Sequence, residues 1–494
     1  MGIVKRQSSK QAILQVFGIL IGGISVLYIY PLNTEMLGFA RFIWDSGLLM
    51  SSFILFGANT GMVKYFPVMN SKSGANFSLP FYSIFLVFGI IMFSVIYYFF
   101  GDELLKVLNK NNIAFLEYNG YFFISAILTS IIIFLNYYCN TLKRIVIPFI
   151  ASNFIKKVAL PVLILAFVWG HISKLGFANY LIITLVLAIL LQVVYIYRLN
   201  SWRIGKVDWD FLGREWKPIL TYSLVSMFGI IGTSFAFQID SFMISTLIGY
   251  DSNGIYSIGF FIANMVYLPY MALSTIMSPI ISNNISLNNW SKIGEYYKQG
   301  GNIMLTIGIP VFLLGYFCVS DLQDIFPSNK DFEVLEIIIL LIGLTKLFDL
   351  ATSFNTQIMV YSDLYKINLK LILVMAVLNV LMNYVFIVFL NMDIVGVALA
   401  STISISLFNI VKLVLLNRRF GIHPFTQKTL SLLILAALLF FLLLFIPSAG
   451  NPYLSIFLKT LLVGSIYAGI VYLFHLSPEV EKYGMELLNK LKIK

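Results

Sequence analysis

Between residues 11 and 475 the chain is a succession of apolar stretches, each close to the length that crosses a hydrocarbon layer. A spanning helix needs about 20 largely apolar residues. The stretches that qualify run over approximately 11–30, 37–66, 79–100, 118–140, 146–169, 176–198, 218–248, 253–282, 300–320, 334–361, 365–390, 393–417, 428–447 and 453–475. They predict an all-α integral membrane protein with about fourteen transmembrane helices. Several stretches approach the length that implies tilt or extension beyond the hydrocarbon. Composition agrees. Hydrophobic residues make up 59% of the 494-residue chain and charged residues 11%, where soluble domains carry about 25% charge. A soluble core could not hide that much apolar surface, so lipid must be the solvent for most of it. Phe and Tyr, 44 and 28 of them, suit lipid-facing helices and interfacial belts.

Orientation follows from the cations. With the N-terminus placed in the cytoplasm, the outer loops hold only Lys106, Lys110, Lys174 and Lys330. The inner segments hold most of the rest, from Lys5, Arg6 and Lys10 to Lys482, Lys490, Lys492 and Lys494. That asymmetry predicts both termini inside. It also explains the net charge of +11 without a nucleic-acid partner. The apolar run from Ile13 to Tyr30 is longer than a signal-peptide core and is read as the first transmembrane helix. Arg6 stands where a myristoylation motif needs Ser or Thr.

The longest inner loop divides the first twelve helices into two sixes, an arrangement common in transporters. The predicted domains are an N-lobe at 1–200, a cytoplasmic linker at 201–217, a C-lobe at 218–425, two further helices at 426–476, and a cytoplasmic amphipathic tail at 477–494. In the tail, Val480, Tyr483, Leu487, Leu488 and Leu491 share one helical face, as in a helix lying on the inner leaflet. The segment holding Trp290, Ile293 and Tyr297 fits either an interfacial helix or a solvated loop. The halves echo one another faintly: Phe17-Gly18-Ile19 with Phe228-Gly229-Ile230, and Leu37-Gly38-Phe39 with Asn253-Gly254-Ile255.

The informative residues are charges inside apolar helices, which cost a few kcal/mol each at the bilayer centre and therefore face a cavity or a partner. They are Arg41, Asp45, Lys156, Lys157, Asp240, Lys346, Asp349, Lys412 and Lys459. Arg41/Asp45 and Lys346/Asp349 have the i,i+4 and i,i+3 spacings that let cation and anion meet on one helix face. Such pairs are either self-neutralising structure or the lining of a cavity for a charged substrate. Lys156 and Lys157 point about 100° apart, so at least one faces the interior. Lys412 and Lys459, near helix ends, are expected to snorkel. Gly57 and Gly61, like Gly18 and Gly22, have the spacing of close helix packing. Lys64 follows at the inner mouth, where an anionic head group would arrive. The expected substrate-binding cations are thus Arg41, Lys156, Lys157, Lys346 and Lys64. The expected coupling or gating acids are Asp240, Asp349 and Asp45. Asp240 has no cation within a helical turn in sequence, which leaves it to carry an ion or to hold a structural contact.

Catalytic motifs are absent. The sequence has no Walker A, no Gly-x-Ser-x-Gly, and only three histidines, His171, His423 and His475. Cys139 and Cys318 are isolated and read as small buried hydrophobes. No enzyme, metal or cofactor is expected, and energy would come from a gradient or from the substrate's own concentration difference.

The run FQIDSFMISTLIGYDSNGIYSIGFFIANMVYLPYMALSTIMSPIIS resembles the middle of the oligosaccharide-lipid flippases. These form the polysaccharide-export branch of the multidrug/oligosaccharidyl-lipid/polysaccharide (MOP) superfamily, which also holds the MATE-type multidrug exporters. The shared positions are Ile239-Asp240, Gly254-Ile255-Tyr256, Pro269 and Pro279. Leu37-Gly38-Phe39 with Gly57, Gly61 and Lys64-Tyr65-Phe66 is similar to family helix two. Gly396 to Ala400, Asn417-Arg418-Arg419-Phe420 and Pro424-Phe425 are similar to family helix twelve and its loop. The chain departs from the family at Phe39, where Tyr is common, and at Ser241, where a basic residue often stands. The resemblance implies two six-helix lobes in a V around a central cavity, two additional C-terminal helices, and alternating access. It implies an undecaprenyl-pyrophosphate-linked oligosaccharide as substrate, a unit of O-antigen, capsule or exopolysaccharide, in the bacterial cytoplasmic membrane. Membrane lipids and a polysaccharide polymerase would be its partners. The alternatives are a cation-coupled MATE-type multidrug exporter, with the acids dominant, and a membrane polymerase or glycosyltransferase. The outer loops are too short for the last.

Overall fold

The computed structural model describes residues 2–69, 77–108, 118–199, 209–326, 333–446 and 450–482. Among them the regular structure is helical throughout. In chain order the helices are α1 (Gly2–Tyr28), α2 (Thr34–Ile54), α3 (Ala58–Tyr65), α4 (Ser78–Leu108), α5 (Asn119–Thr141), α6 (Val146–Val168), α7 (Lys174–Arg198), α8 (Trp209–Leu247) and α9 (Tyr250–Asn264). They continue as α10 (Leu268–Ser286), α11 (Trp290–Phe317), α12 (Val319–Ile325), α13 (Val334–Ala351), α14 (Asn355–Tyr361), α15 (Tyr365–Tyr384), α16 (Asp393–Phe420), α17 (Gln427–Leu444) and α18 (Pro452–Leu473).

Twelve helical segments are long and apolar enough to cross a membrane, and α2 with α3, bent by 59°, makes a thirteenth. The helix α13 spans 18 residues but carries Glu336, Lys346 and Asp349. With it, every apolar stretch of the sequence is occupied by helix. The protein is a multi-pass, all-helical membrane protein. The bend between α2 and α3 has a local cause: Gly57 adopts φ +69°, and a Cβ there would lie 1.9 Å from the Ser223 carbonyl oxygen. Only glycine takes that conformation at that approach without strain.

The chain forms two compact units, residues 1–257 with 387–389, and residues 258–386 with 390–494. This differs from the lobe limits of 1–200 and 218–425 expected from loop and charge pattern. The helix α8 packs along α2 and α3, so it groups with the helices before it. Residues 201–208 of the linker and the tail beyond residue 482 lie outside the described residues, and residues 209–217 begin α8.

In the first unit α2 is central, packed against α5 and α8. The faint echo in the sequence has a spatial counterpart here. A Cβ at Gly38 would meet the Tyr250 carbonyl oxygen at 1.7 Å, and one at Gly254 would meet the Thr34 carbonyl oxygen at 1.9 Å. Two related glycines thus let α2 and the start of α9 cross backbone to backbone. Side chains tie the crossing: Asn253 Nδ2 donates to the Gly38 carbonyl at 3.1 Å and to Ser241 Oγ at 3.0 Å, and the Thr34 hydroxyl donates to Asp251. Replacing Gly254 by Ala is expected to push the helices apart and cost about 1–3 kcal/mol, the usual range for overpacking. Thermal unfolding of the purified protein would register this as a lower melting temperature, while Gly469→Ala, where nothing lies within 4 Å, should leave it unchanged.

In the second unit Ile293, Tyr297, Met304, Leu305 and Ile309 of α11 form the middle of the core, with Leu432, Leu439, Val463 and Val471 packed from α17 and α18. Trp290, Ile293 and Tyr297 therefore belong to neither a surface helix nor a loop. They begin α11, with Ile293 and Tyr297 fully buried and Trp290 stacked on Phe420 at 3.7 Å. Lys459 does not snorkel. It is 6% exposed, pairs with Asp321 of α12 at 2.7 Å, and donates to the Phe317 carbonyl at 2.9 Å. The free cysteines Cys139 and Cys318 are both buried.

Candidate functional site

Four of the intramembrane charges singled out by the sequence meet in one cavity of the first unit. A space of about 370 Å³ is lined by Arg41, Trp44 and Asp45 of α2, Thr129 of α5, and Ser152, Asn153, Lys156 and Lys157 of α6. Three cations and one acid therefore face a common volume. Arg41 and Asp45 form no ion pair with each other among the described residues. The i,i+4 spacing permits one, but both residues instead line the cavity.

Local backbone structure places the lysines. Residues Ile150–Phe154 make a π turn inside α6, an insertion that shifts the register of the helix and is often found at functional sites. It brings Ser152 and Asn153 to the same wall as Lys156 and Lys157. Lys156 Nζ lies 5.3 Å from the Trp44 ring centroid, within cation–π range. Lys157 runs over Gly18 of α1, where a Cβ would come within 3.1 Å of its Cδ and 3.3 Å of its Nζ. The absent side chain at Gly18 is what makes room for it. Three buried atoms of residues lining the cavity, Arg41 Nε, Trp44 Nε1 and Thr129 Oγ1, have no hydrogen-bond partner among the described residues. Buried donors left unmade cost about 1–3 kcal/mol each.

The remaining expected site residues lie elsewhere. Lys64 is exposed with its ammonium over Tyr222 at 3.7 Å and near Tyr65 at 5.2 Å, apart from the cavity. Asp240 of α8 is 8% exposed, and its Oδ2 accepts from the Tyr256 hydroxyl at 3.0 Å. It joins α8 to α9 beside the glycine crossing.

In the second unit Lys346 and Asp349 do not pair. Lys346, 5% exposed, lies 5.0 Å from the Tyr267 ring and 5.9 Å from the Phe260 ring. Asp349 accepts from Asn409 Nδ2. The i,i+3 spacing is overridden because each side chain finds a neighbour on another segment. Lys412 is not a snorkelling residue either: it is 2% exposed and bonded to Asn355 and Thr356. Sequence reasoning overlooked Asn355 and Asn409. The logic applied to charges finds them, since amides deep in apolar helices also need partners.

Residues 226–385 match the family model described as MatE. Among curated proteins compared by sequence, none matches. Two solved structures superpose over most of their length. The lipid II flippase MurJ, in an inward closed conformation, gives a TM-score of 0.64 at 16% identity over 94% of this chain and 98% of its own. An inward-facing multidrug resistance MATE family transporter of the MOP superfamily gives 0.59 at 14% identity over 82% and 94%. The fold is that of the MOP-superfamily transporters. Within this MOP fold the charged cavity sits in the first unit, and the family-model match covers the second half of α8 through α15.

Proposed function

We propose that this protein is a membrane transporter that moves a lipid-linked oligosaccharide, carried on undecaprenyl pyrophosphate, across the bacterial cytoplasmic membrane by alternating access with both termini in the cytoplasm. The observation that carries the reading is the cavity in which Arg41, Lys156 and Lys157 outnumber Asp45 and in which further donors stand unpaired. A pyrophosphate head group needs that lining: charge-assisted hydrogen bonds from several directions, with Arg supplying a planar fork and Lys a point charge. Lys346 and Lys64 serve the same substrate at other points of its path. Of the two superposed structures described above, one is itself a lipid II flippase.

The rival reading is a multidrug exporter, since the other is a MATE transporter and the family match is to MatE. An exporter of organic cations needs a cavity in which acids prevail. Here the single acid of the lining faces three cations, which favours an anion. The two readings separate in the bacterium from which the chain comes. Deleting the gene is expected to abolish a surface polysaccharide, measured by immunoblot or sugar analysis, and to leave accumulation of cationic dyes unchanged. Raised dye accumulation with normal polysaccharide would reverse the assignment.

A further inference from the structure

Lys412 presents an arrangement that the substrate cavity does not use. Its Nζ is held by Asn355 Oδ1 at 3.1 Å and Thr356 Oγ1 at 2.8 Å, with the Phe408 ring centroid at 3.8 Å. Among the described residues it forms no ion pair. A relay leads away from it: Asn355 Nδ2 donates to Asn409 Oδ1 at 3.1 Å, and Asn409 Nδ2 donates to Asp349. Among the other charged and titratable groups on the elements packed against α16, Glu336 of α13 is half-buried and interacts with Tyr316. Lys346 of α13 lies over Tyr267 and Phe260. Tyr361 of α14 and Tyr365, Lys366, Lys370 and Tyr384 of α15 are exposed, as are Asp393, Arg418 and Arg419 of α16 itself.

The chemistry of the partners is specific. Both are neutral oxygens, and one is a hydroxyl. An ammonium donates to both. A neutral amine donates to Asn355 Oδ1 while the Thr356 hydroxyl rotates to donate to its lone pair. The same two partners therefore satisfy the nitrogen with or without its third proton, which a carboxylate partner would not do. Asn355 is buried and Thr356 is half-buried.

We infer that Lys412 is the proton-carrying site of the transport cycle, binding one proton as the ammonium and releasing it to leave the neutral amine. This rests on the transport function proposed above and adds its coupling. The assignment differs from the expectation that Asp240 would couple, because Asp240 is engaged by Tyr256.

The test uses the full chain in proteoliposomes, with flipping of an undecaprenyl-pyrophosphate-linked sugar measured with and without an imposed pH gradient. The parent is expected to respond to the gradient. Lys412→Arg cannot release its proton and Lys412→Met cannot bind one, so both are expected to flip at a rate indifferent to the gradient, while Asp240→Asn keeps the response. A retained response in Lys412→Arg, or a parent without one, overturns the inference. Should the parent move no lipid-linked sugar at all, the functional reading fails. The inference is then read directly from the lysine side-chain ¹⁵N resonances, assigned with Lys412→Arg. A Lys412 signal that changes from ammonium to amine as the pH is varied supports it, and one that stays constant overturns it.

Discussion

Arg41→Ala is expected to reduce translocation of a lipid-linked sugar by about 10- to 100-fold without lowering the melting temperature. A hydrogen bond to a charged partner is worth about 1.5–3 kcal/mol, and about 1.4 kcal/mol is a factor of ten. Among the described residues Arg41 makes no ion pair and its Nε has no partner, so its removal takes away interactions with the guest and few with the fold. Arg41→Lys keeps the charge and loses the planar fork, and it should recover only part of the rate. Lys156→Ala lines the same space and should act in the same direction. The double variant should lose less than the product of the single losses, because residues that share one partner are not additive. Lys64→Ala removes an exposed cation over Tyr222, outside the cavity, and should have a smaller effect. Parental flipping by a well-folded Arg41→Ala protein would remove the cavity from the substrate path.

The helices were legible in the sequence because the bilayer imposes one length and one composition on every span. The residues of the cavity were half legible. Charge in an apolar helix is costly enough that Arg41, Asp45, Lys156 and Lys157 stand out individually, and the structure gathers all four. Their partners were not visible, because a partner on another helix leaves no local pattern. Spacing along one helix predicted the pairs Arg41/Asp45 and Lys346/Asp349, and neither forms. For Asp349 the competing amide comes from Asn409, sixty positions away in the chain. Position near a helix end predicted snorkelling for Lys412 and Lys459, and both are buried because other helical segments cover those ends. The π turn at Ile150–Phe154 has no signature in composition, yet it sets which side chains of α6 reach the cavity. The echo of Gly38 in Gly254 was legible, and only the three-dimensional crossing gives it meaning.

The largest loss of stability is expected from Lys459→Met. Lys459 and Asp321 are a closed pair, their side chains 7% and 1% exposed and 2.7 Å apart. Removing the lysine leaves Asp321 buried with its charge uncompensated. Its other oxygen, Oδ1, already lacks a partner. Breaking a buried pair on one side costs about 3–5 kcal/mol, and the Phe317 carbonyl loses its donor as well. The pair joins α18 to α12 and to the end of α11, so the helix most exposed to loss of anchorage is α18. Replacing both partners, Lys459→Met with Asp321→Leu, should return most of the stability, because no charge is then left stranded in the interior. Unfolding of the detergent-purified variants, followed by intrinsic fluorescence against temperature, orders the three proteins. The expected order is parent near the double variant, with the single variant well below both. Were Lys459→Met alone to match the parent within about 1 kcal/mol, the ordinary range for point substitutions, the pair would not be what fastens α18 to the second unit.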